Sequence, residues 1–144
     1  MPMPKRIRST LRYAADAAAP RGHTILIEPL NYHDAPGYFL NHTEKARRII
    51  EAVGAPNLKL MFDCYHIQIL EGDLTRRIDA NLDITGHIQF AGVPSRGRPD
   101  MGEVNYAHIF AHLAVRGYDV PLGAEYRPQA GNTDASLGWM AALR

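Results

Sequence analysis

The sequence has little cysteine, almost no net charge and no long apolar run. Its single cysteine, Cys64, excludes an internal disulfide framework and leaves no cysteine cluster for a zinc site, so we expect a reducing, cytoplasmic setting. A net charge of +1 gives no general electrostatic reason to expect nucleic acid or an anionic membrane as a partner. A membrane span needs about 20 consecutive apolar residues, and no such run is present.

The chain of 144 residues has the length of one ordinary domain. Hydrophobic residues make up 46% of it and charged residues 22%, as in a soluble globular protein. The start of the chain is basic and lacks the apolar core of a signal peptide. We interpret residues 1–8 as an N-terminal lead that is disordered or lies outside the domain's family, and residues 9–144 as the partial domain.

Short apolar segments alternate with segments of helical periodicity along the domain. This alternation predicts a parallel sheet covered by helices. Asn41, with Glu44 three residues later, fits the N-terminal cap of the second helix. The predicted strands cover residues 24–27, 58–62, 87–91 and 120–124. The predicted helices cover residues 9–19, 43–53, 66–71 and 74–81, one that begins after Asn105, and 134–143.

An oxygen-bearing side chain stands near the C-terminal end of each predicted strand. These side chains are Glu28, Asp63, Gln89 and Glu125, and they follow one another at roughly the length of one βα unit. Because α/β proteins place their chemistry at the C-terminal ends of parallel strands, we expect the four to converge if the sheet curves.

Three carboxylates and one amide oxygen suit a hard divalent cation, Mg²⁺ or Mn²⁺, better than zinc. Three carboxylates in one pocket would also repel one another without a cation. A second interpretation stays open at this point. An acidic residue after a strand is commonly a helix cap or a solvated loop residue, and Gln89 could face a polar seam instead of the pocket.

Five short motifs stand in order at the predicted strand ends. They are Ile27-Glu28-Pro29-Leu30-Asn31, Phe62-Asp63-Cys64-Tyr65-His66, His87-Ile88-Gln89-Phe90-Ala91, Pro94-Ser95-Arg96 leading to Gly102-Glu103-Val104-Asn105-Tyr106, and Gly123-Ala124-Glu125-Tyr126. Together they closely resemble the hydroxypyruvate isomerase family, which includes the 2-oxo-tetronate isomerases, within the xylose-isomerase-like barrel superfamily. The resemblance covers about residues 9 to 144.

The resemblance implies a (β/α)₈ barrel that binds a divalent metal, Mg²⁺ or Mn²⁺. It implies an aldose–ketose type isomerisation of a small 2-oxo sugar acid, interconverting hydroxypyruvate and 2-hydroxy-3-oxopropanoate by proton transfer through an enediolate. The implied metal ligands are Glu28, Asp63, Gln89 and Glu125, and the two glutamates also move the proton.

The resemblance also implies three residues around the substrate. His66 matches a histidine that touches substrate in related epimerases, and Arg96 matches an arginine placed to hold the substrate carboxylate. Asn31 would orient Glu28 or the substrate. The simpler interpretations are that His66 is an ordinary residue of a first helical turn and that Arg96 is a solvated loop charge, with Arg98 competing for its role.

The chain is short for a complete barrel, which has about 250 residues. The fold class we predict is therefore α/β, the C-terminal half of a (β/α)₈ TIM barrel with about four parallel strands and outer helices. A half-barrel exposes two strand edges, so we expect self-association or poor folding.

Two other functions stay open from the sequence. One is a catalytically inert half-barrel that acts only as a folding or assembly unit. The other is phosphodiester cleavage of the apurinic-site endonuclease kind. Histidine-poor strand ends and a near-zero net charge disfavour the second.

Overall fold

A computed structural model describes residues 5–143, in which four parallel strands form one sheet. Each strand pairs with the next one along the chain, in the order β1-β2-β3-β4. This order is the one a segment of a (β/α) barrel requires, and the predicted half-barrel fold class is confirmed. The strands are β1 (Ile25–Ile27), β2 (Leu58–Asp63), β3 (Thr85–Phe90) and β4 (Gly123–Ala124).

Helices connect the strands and lie against one face of the sheet. Single 3₁₀ turns follow α1 and α4 and precede α6, at Ala19–Arg21, Leu82–Ile84 and Gln129–Gly131. The helices are α1 (Lys5–Ala18), α2 (Thr43–Val53), α3 (Cys64–Leu70), α4 (Leu74–Asn81), α5 (Tyr106–Val115), α6 (Thr133–Ser136) and α7 (Trp139–Ala142).

The first helix corrects the predicted boundary of the N-terminal lead. It begins at Lys5 and not at Ser9, so residues 5–8 are helical. Ser9 does not cap it, because the Ser9 hydroxyl donates back to the carbonyl of Arg6 within the helix. The rest of the predicted lead, residues 1–4, lies outside the described residues.

The second helix begins where predicted, but its start is stabilised by a residue distant in sequence. His42 occupies the N-cap position without a side-chain cap bond, and the predicted cap, Asn41, contacts His42 and Lys45 instead. Glu71 accepts from the backbone N–H of Thr43 at 2.6 Å and from its hydroxyl at 3.0 Å. A tertiary contact thus replaces the predicted local cap.

The hydrophobic core lies between the sheet and the helices. Alternate residues of β2, namely Leu58, Leu60 and Phe62, are buried beneath the helices, while Lys59 and Met61 point to the other face and are half-buried. This alternation follows from the pleat of a strand. The face that carries Lys59 and Met61 is the one that would line a barrel interior.

A register shift aligns the ends of β2 and β3. Leu60 is opposite Thr85 but Met61 is opposite His87, so Gly86 is an extra residue on β3. A side chain there would meet the Leu26 side chain at 2.7 Å, which explains the glycine. The shift brings Gln89 opposite Asp63 at the C-terminal edge of the sheet.

Within residues 5–143, no helix is both long enough and apolar enough to cross a bilayer.

Candidate metal centre

Glu28 lies one residue beyond β1, at the C-terminal edge of the sheet. Pro29 follows it, and a proline cannot extend the ladder of a strand. The Glu28 side chain is 28% exposed, but its Oε1 atom is buried and accepts no hydrogen bond from any described residue. A buried carboxylate oxygen without a partner is costly, so this atom points to a missing ligand.

Asp63 is the last residue of β2 and also the N-cap of α3. Its Oδ1 accepts from the backbone N–H of Tyr65 at 2.8 Å, which fixes the side chain at the helix start. The other oxygen, Oδ2, is buried and has no hydrogen-bond partner within residues 5–143. The site therefore contains a second orphaned carboxylate oxygen beside that of Glu28.

His66 completes this group from the first turn of α3. Its Nε2 lies 3.8 Å from Glu28 Oε1 and 3.8 Å from Asp63 Oδ2, and the ring is buried. One ligand atom from each of these three residues lies within 4.8 Å of the others. The structure thus places His66 beside the two carboxylates, and its contact to substrate stays a prediction.

Asn31 is fully buried and lies against His66. Its backbone N–H donates to His66 Nδ1 at 3.1 Å, and its Nδ2 lies 2.8 Å from the same atom. Its Oδ1 accepts from the backbone N–H groups of His33 and Asp34 at 3.0 Å each. Asn31 thus holds the histidine ring, and its predicted role of orienting Glu28 or the substrate stays a prediction.

Arg96 reaches the same edge of the sheet from the loop after β3. Its Nη2 lies 2.7 Å from Glu125 Oε2 and 3.8 Å from Asp63 Oδ2, and its Nη1 lies 3.4 Å from Asp34 Oδ2. The competing Arg98 pairs with Asp100 instead. Of the two loop arginines, Arg96 is the one beside the carboxylates.

Glu125 and Gln89 form the more open side of the centre. The Glu125 side chain is 53% exposed and bonds to Arg96. Gln89 is half-buried and lies in register between Asp63 of β2 and Gly123 of β4. Both residues are at the predicted edge, and Glu125 is not part of the compact group of Glu28, Asp63 and His66.

Two residues near the centre were not predicted as site residues. Asp34 accepts from Asn31 and lies beside Arg96. The Tyr65 ring lies 5.0 Å from the Arg96 guanidinium carbon and 5.0 Å from the His66 ring. Tyr65 lies inside one of the five motifs, and this position is the sequence signal that could have identified it. Asp34 lies outside all five motifs, so no sequence signal pointed to it.

Burial governs the proton affinities of the compact group. Burial first, then repulsion by Asp63 and Glu125, raise the pKa of Glu28 from 4.5 to about 7. Burial also raises the pKa of Asp63 from 3.8 to about 6. Burial and the positive charge of Arg96 lower the pKa of His66 from 6.5 to about 4, so the ring is neutral at physiological pH.

The donor set fits a divalent cation. Among the described residues, two buried carboxylate oxygens lack hydrogen-bond partners, and ligand atoms of Glu28, Asp63 and His66 lie within 4.8 Å of one another, an arrangement that suits a hard cation. Gln89 and Glu125 lie on the adjoining strand ends and could supply further oxygens. If no cation bound, the buried carboxylate oxygens would be removed from water without a compensating contact, which is energetically unfavourable.

A parallel sheet in chain order, outer helices and carboxylates at the C-terminal strand ends define a (β/α)-barrel protein with a candidate metal centre. Comparison with known proteins agrees. The family model described as "Xylose isomerase-like TIM barrel" matches residues 4–143. The chain belongs to this family.

Individual relatives confirm the resemblance found in the motifs. The chain is 52% identical over 130 residues to a 2-oxo-tetronate isomerase of Cupriavidus necator, a match covering 90% of this chain and 50% of the relative. It is 42% identical over 134 residues to the hydroxypyruvate isomerase of Escherichia coli, covering 93% and 52%. The chain thus spans about half the length of the curated relatives it matches.

A solved structure shows the same fold. The crystal structure of a family 2 AP endonuclease from Brucella melitensis superposes with a TM-score of 0.89 at 44% sequence identity. The match covers 95% of this chain and 53% of that one. The chain therefore corresponds to about half of that structure.

Proposed function

We propose that the chain carries the metal and acid–base centre of an isomerase that acts on a small 2-oxo sugar acid. The proposed reaction interconverts hydroxypyruvate and 2-hydroxy-3-oxopropanoate, or a related 2-oxo-tetronate pair. The observation that carries this proposal is the pair of orphaned carboxylate oxygens of Glu28 and Asp63 at the strand ends. The names of the two curated relatives supply the substrate class.

Mg²⁺ or Mn²⁺ is the proposed metal, with Glu28, Asp63, Gln89 and Glu125 as its ligands. All four offer oxygen, which these hard cations prefer. Such a cation would polarise neighbouring carbonyl and hydroxyl oxygens. The role of the chain is to hold these oxygens at one edge of the sheet and to keep Glu28 and Asp63 largely out of water.

Glu28 and Glu125 are the proposed proton-transfer residues. Isomerisation requires one group to remove a proton from carbon, which gives an enediolate, and a group to return a proton to the neighbouring carbon. The pKa of Glu28 is about 7, which suits a group that must both accept and donate a proton near neutral pH. Glu125 is half-exposed and therefore accessible to a substrate.

Arg96 is the proposed anchor of the substrate carboxylate. A guanidinium can hold a carboxylate through two parallel hydrogen bonds. Here Arg96 is held by Glu125 and Asp34, and its planar group lies over the Tyr65 ring. These contacts hold the arginine beside the half-exposed Glu125, which supports its proposed role in binding an anionic substrate.

A coupled assay on hydroxypyruvate with added Mn²⁺ or Mg²⁺ tests the proposal. We expect turnover by the chain and a loss of about 100-fold or more in Glu125→Gln, since general acid–base groups typically contribute that much. Glu51→Gln, on an exposed part of α2 beside Arg47, is the matched control and should keep full activity. Absence of turnover with the metal still bound would favour the inert half-barrel.

Self-association is the proposed way in which the chain completes its site. β1 and β4 are the two edges of the sheet, and a groove of about 720 Å³ lies beside β1, lined by Ile7, Leu11, Leu26 and Phe39 among others. Two copies related by a two-fold axis would pair β1 with β4 twice and give eight parallel strands. Sedimentation should show a dimer, and a monomer at all concentrations would contradict this.

Phosphodiester cleavage is a second candidate because one structural relative is named an AP endonuclease. Within residues 5–143, the metal-ligand group contains one histidine, and such cleavage by several zinc ions would need more nitrogen ligands. The same preparation should be tested on a duplex with an abasic site. Strand cleavage without isomerase turnover would favour this second function.

A further inference from the structure

We infer that Lys59 limits how tightly two copies of the chain can close into a barrel, because its charge lies on the sheet face that closure would bury. This role rests on the self-association proposed above and adds to it the residue that opposes closure. It concerns the end of the sheet opposite the carboxylates, so it is independent of the metal and of the reaction.

Lys59 is the second residue of β2 and points away from the helices. Its neighbours in the strand, Leu58 and Leu60, are fully buried on the helix side, whereas Lys59 is half-buried. Successive side chains of a strand point to opposite faces, so Lys59 lies on the inner face of the sheet. Asp63 ends the same strand four residues later, which corresponds to about 13 Å. Lys59 therefore lies near the N-terminal end of the strands, far from the candidate metal centre.

A leucine and a glycine flank Lys59 on this inner face. Leu26 of β1 is in register with Lys59, and Gly86 of β3 lies on the other side. A Cβ atom added at Gly86 would lie 2.7 Å from Leu26 Cδ2 and 2.8 Å from Lys59 Cβ, so a side chain there would displace its neighbours. β4 begins further along the sheet, where Gly123 is opposite Gln89. The layer around Lys59 thus consists of one leucine, one lysine and one glycine.

The ammonium group of Lys59 is bonded to a neutral acceptor. Its Nζ donates to the backbone carbonyl of Asp83 at 3.3 Å. The Asp83 carboxylate binds Arg47 of α2 instead, at 2.6 and 3.0 Å. Among residues 5–143, no carboxylate forms an ion pair with Lys59. Solvent must therefore supply the rest of the stabilisation of this cation.

Closure by a second copy would bring two Lys59 side chains into one enclosed layer. In an eight-stranded barrel made of two copies, β2 and its counterpart are four strands apart and lie opposite each other. Side chains fill the interior of a barrel of this size. Both copies would add the same leucine, lysine and glycine to the layer, so the layer would hold two cations and no anion.

Two enclosed cations without an anionic partner oppose closure. Removing an ammonium group from water is costly unless an opposite charge compensates it, and the two cations would also repel each other. The carboxylates at the other end of the strands are too distant to pair with Lys59. Inward-pointing charges are one of the means by which proteins protect open sheet edges. Lys59 therefore weakens the closed dimer, although it lies on neither edge strand.

Sedimentation equilibrium of the full chain and of Lys59→Met at pH 8 tests this role. Methionine keeps an unbranched apolar stem and removes the charge, so we expect the dissociation constant of the dimer to fall at least about tenfold. Arg76→Met, which removes a charge from an 85% exposed side chain of α4, is the matched control and should leave the constant unchanged. Equal constants in Lys59→Met and the unaltered chain would overturn the inference. Species larger than a dimer in Lys59→Met would also overturn it, because the lysine would then only keep open edges apart.

A mixture of chains with opposite charges at position 59 tests whether the two side chains face each other. Lys59→Glu again places like charges in its own dimer, but a mixed dimer with the unaltered chain pairs a carboxylate with an ammonium group. With one chain isotopically labelled, native mass spectrometry should show mixed dimers well above the roughly half that random pairing gives. A random proportion of mixed dimers would overturn the inference.

The outcomes separate the role of Lys59 from the proposed self-association. A monomeric unaltered chain together with a dimeric Lys59→Met would contradict self-association of the unaltered chain and support the role of Lys59. Dimers of equal strength in both chains would support self-association and overturn the role of Lys59. Monomers of both chains at all concentrations would contradict both.

Discussion

The two sides of the candidate centre differ in how deeply their side chains are buried and in how their carboxylates are paired. On the β1 and β2 side, Glu28, Asp63 and His66 are packed together with little access to water. On the β3 and β4 side, Gln89 is half-buried and Glu125 is 53% exposed and paired with Arg96. In the part of the chain that the structure describes, the first side has buried carboxylate oxygens without hydrogen-bond partners, whereas on the second side Glu125 is paired with Arg96.

The difference follows from the elements beneath each side. β2 is six residues long and lies between two neighbouring strands, so its end is fixed by two ladders and by the helix that Asp63 caps. β4 has only two residues and lies at an edge of the sheet. An edge strand this short positions its following residue less firmly, and Glu125 depends on Arg96 instead. The β1 and β2 side should therefore dominate metal affinity.

Matched substitutions of the two glutamates give the strongest test of whether the β1 and β2 side dominates metal affinity. Glu28→Gln removes a carboxylate whose buried Oε1 has no hydrogen-bond partner among residues 5–143, and we expect Mn²⁺ affinity to fall about 100-fold. Glu125→Gln removes an exposed carboxylate that is already paired, and we expect a fall of less than about tenfold. Calorimetric titration at pH 8 measures both. Equal losses would show that the open side contributes as much as the packed side.

The packed side should also impose a pH dependence. A metal must displace the proton of Glu28, whose pKa is about 7 because of burial and the neighbouring carboxylates. Lowering the pH from 8 to 6 therefore leaves about one Glu28 in ten ionised, and we expect Mn²⁺ to bind about tenfold more weakly. In Glu28→Gln the dependence of Mn²⁺ affinity on pH should largely disappear. If it persists in that variant, a group other than Glu28 causes it.

The sequence was sufficient for the parts of this comparison that depend on local pattern. The periodicity of residues 43–53 predicted α2 at its observed bounds, and each strand end was placed within a few residues. Local pattern could not find the contact from Glu71 to the start of α2, because the two are distant in the chain. The groups that donate hydrogen bonds to His66 belong to Asn31, which lies 35 residues away in the chain, so local pattern could not predict this contact either.

The open side is anchored by a small aromatic network. The hydroxyl of Tyr126, the residue after Glu125, bonds to Ser136 and accepts from Trp139 Nε1 at 3.2 Å. Tyr126→Phe should lower the free energy of unfolding by about 1 kcal/mol, since Trp139 loses its partner. Chemical denaturation measures this, with Tyr13→Phe on exposed α1 as the control. Mn²⁺ affinity should not change, and a loss would tie the network to the metal centre.

The smallest effect we expect comes from Arg96, which links the two sides. Its guanidinium lies 2.7 Å from Glu125 Oε2 and 3.8 Å from Asp63 Oδ2, so it would repel a cation held by these carboxylates. Arg96→Gln should therefore strengthen Mn²⁺ binding at pH 8 by about threefold, a modest gain because solvent screens the open side. Arg98→Gln, whose arginine pairs with Asp100, is the matched control and should leave the affinity unchanged. Weaker metal binding in Arg96→Gln would mean that the arginine holds Glu125 in position for the metal and does not compete with it.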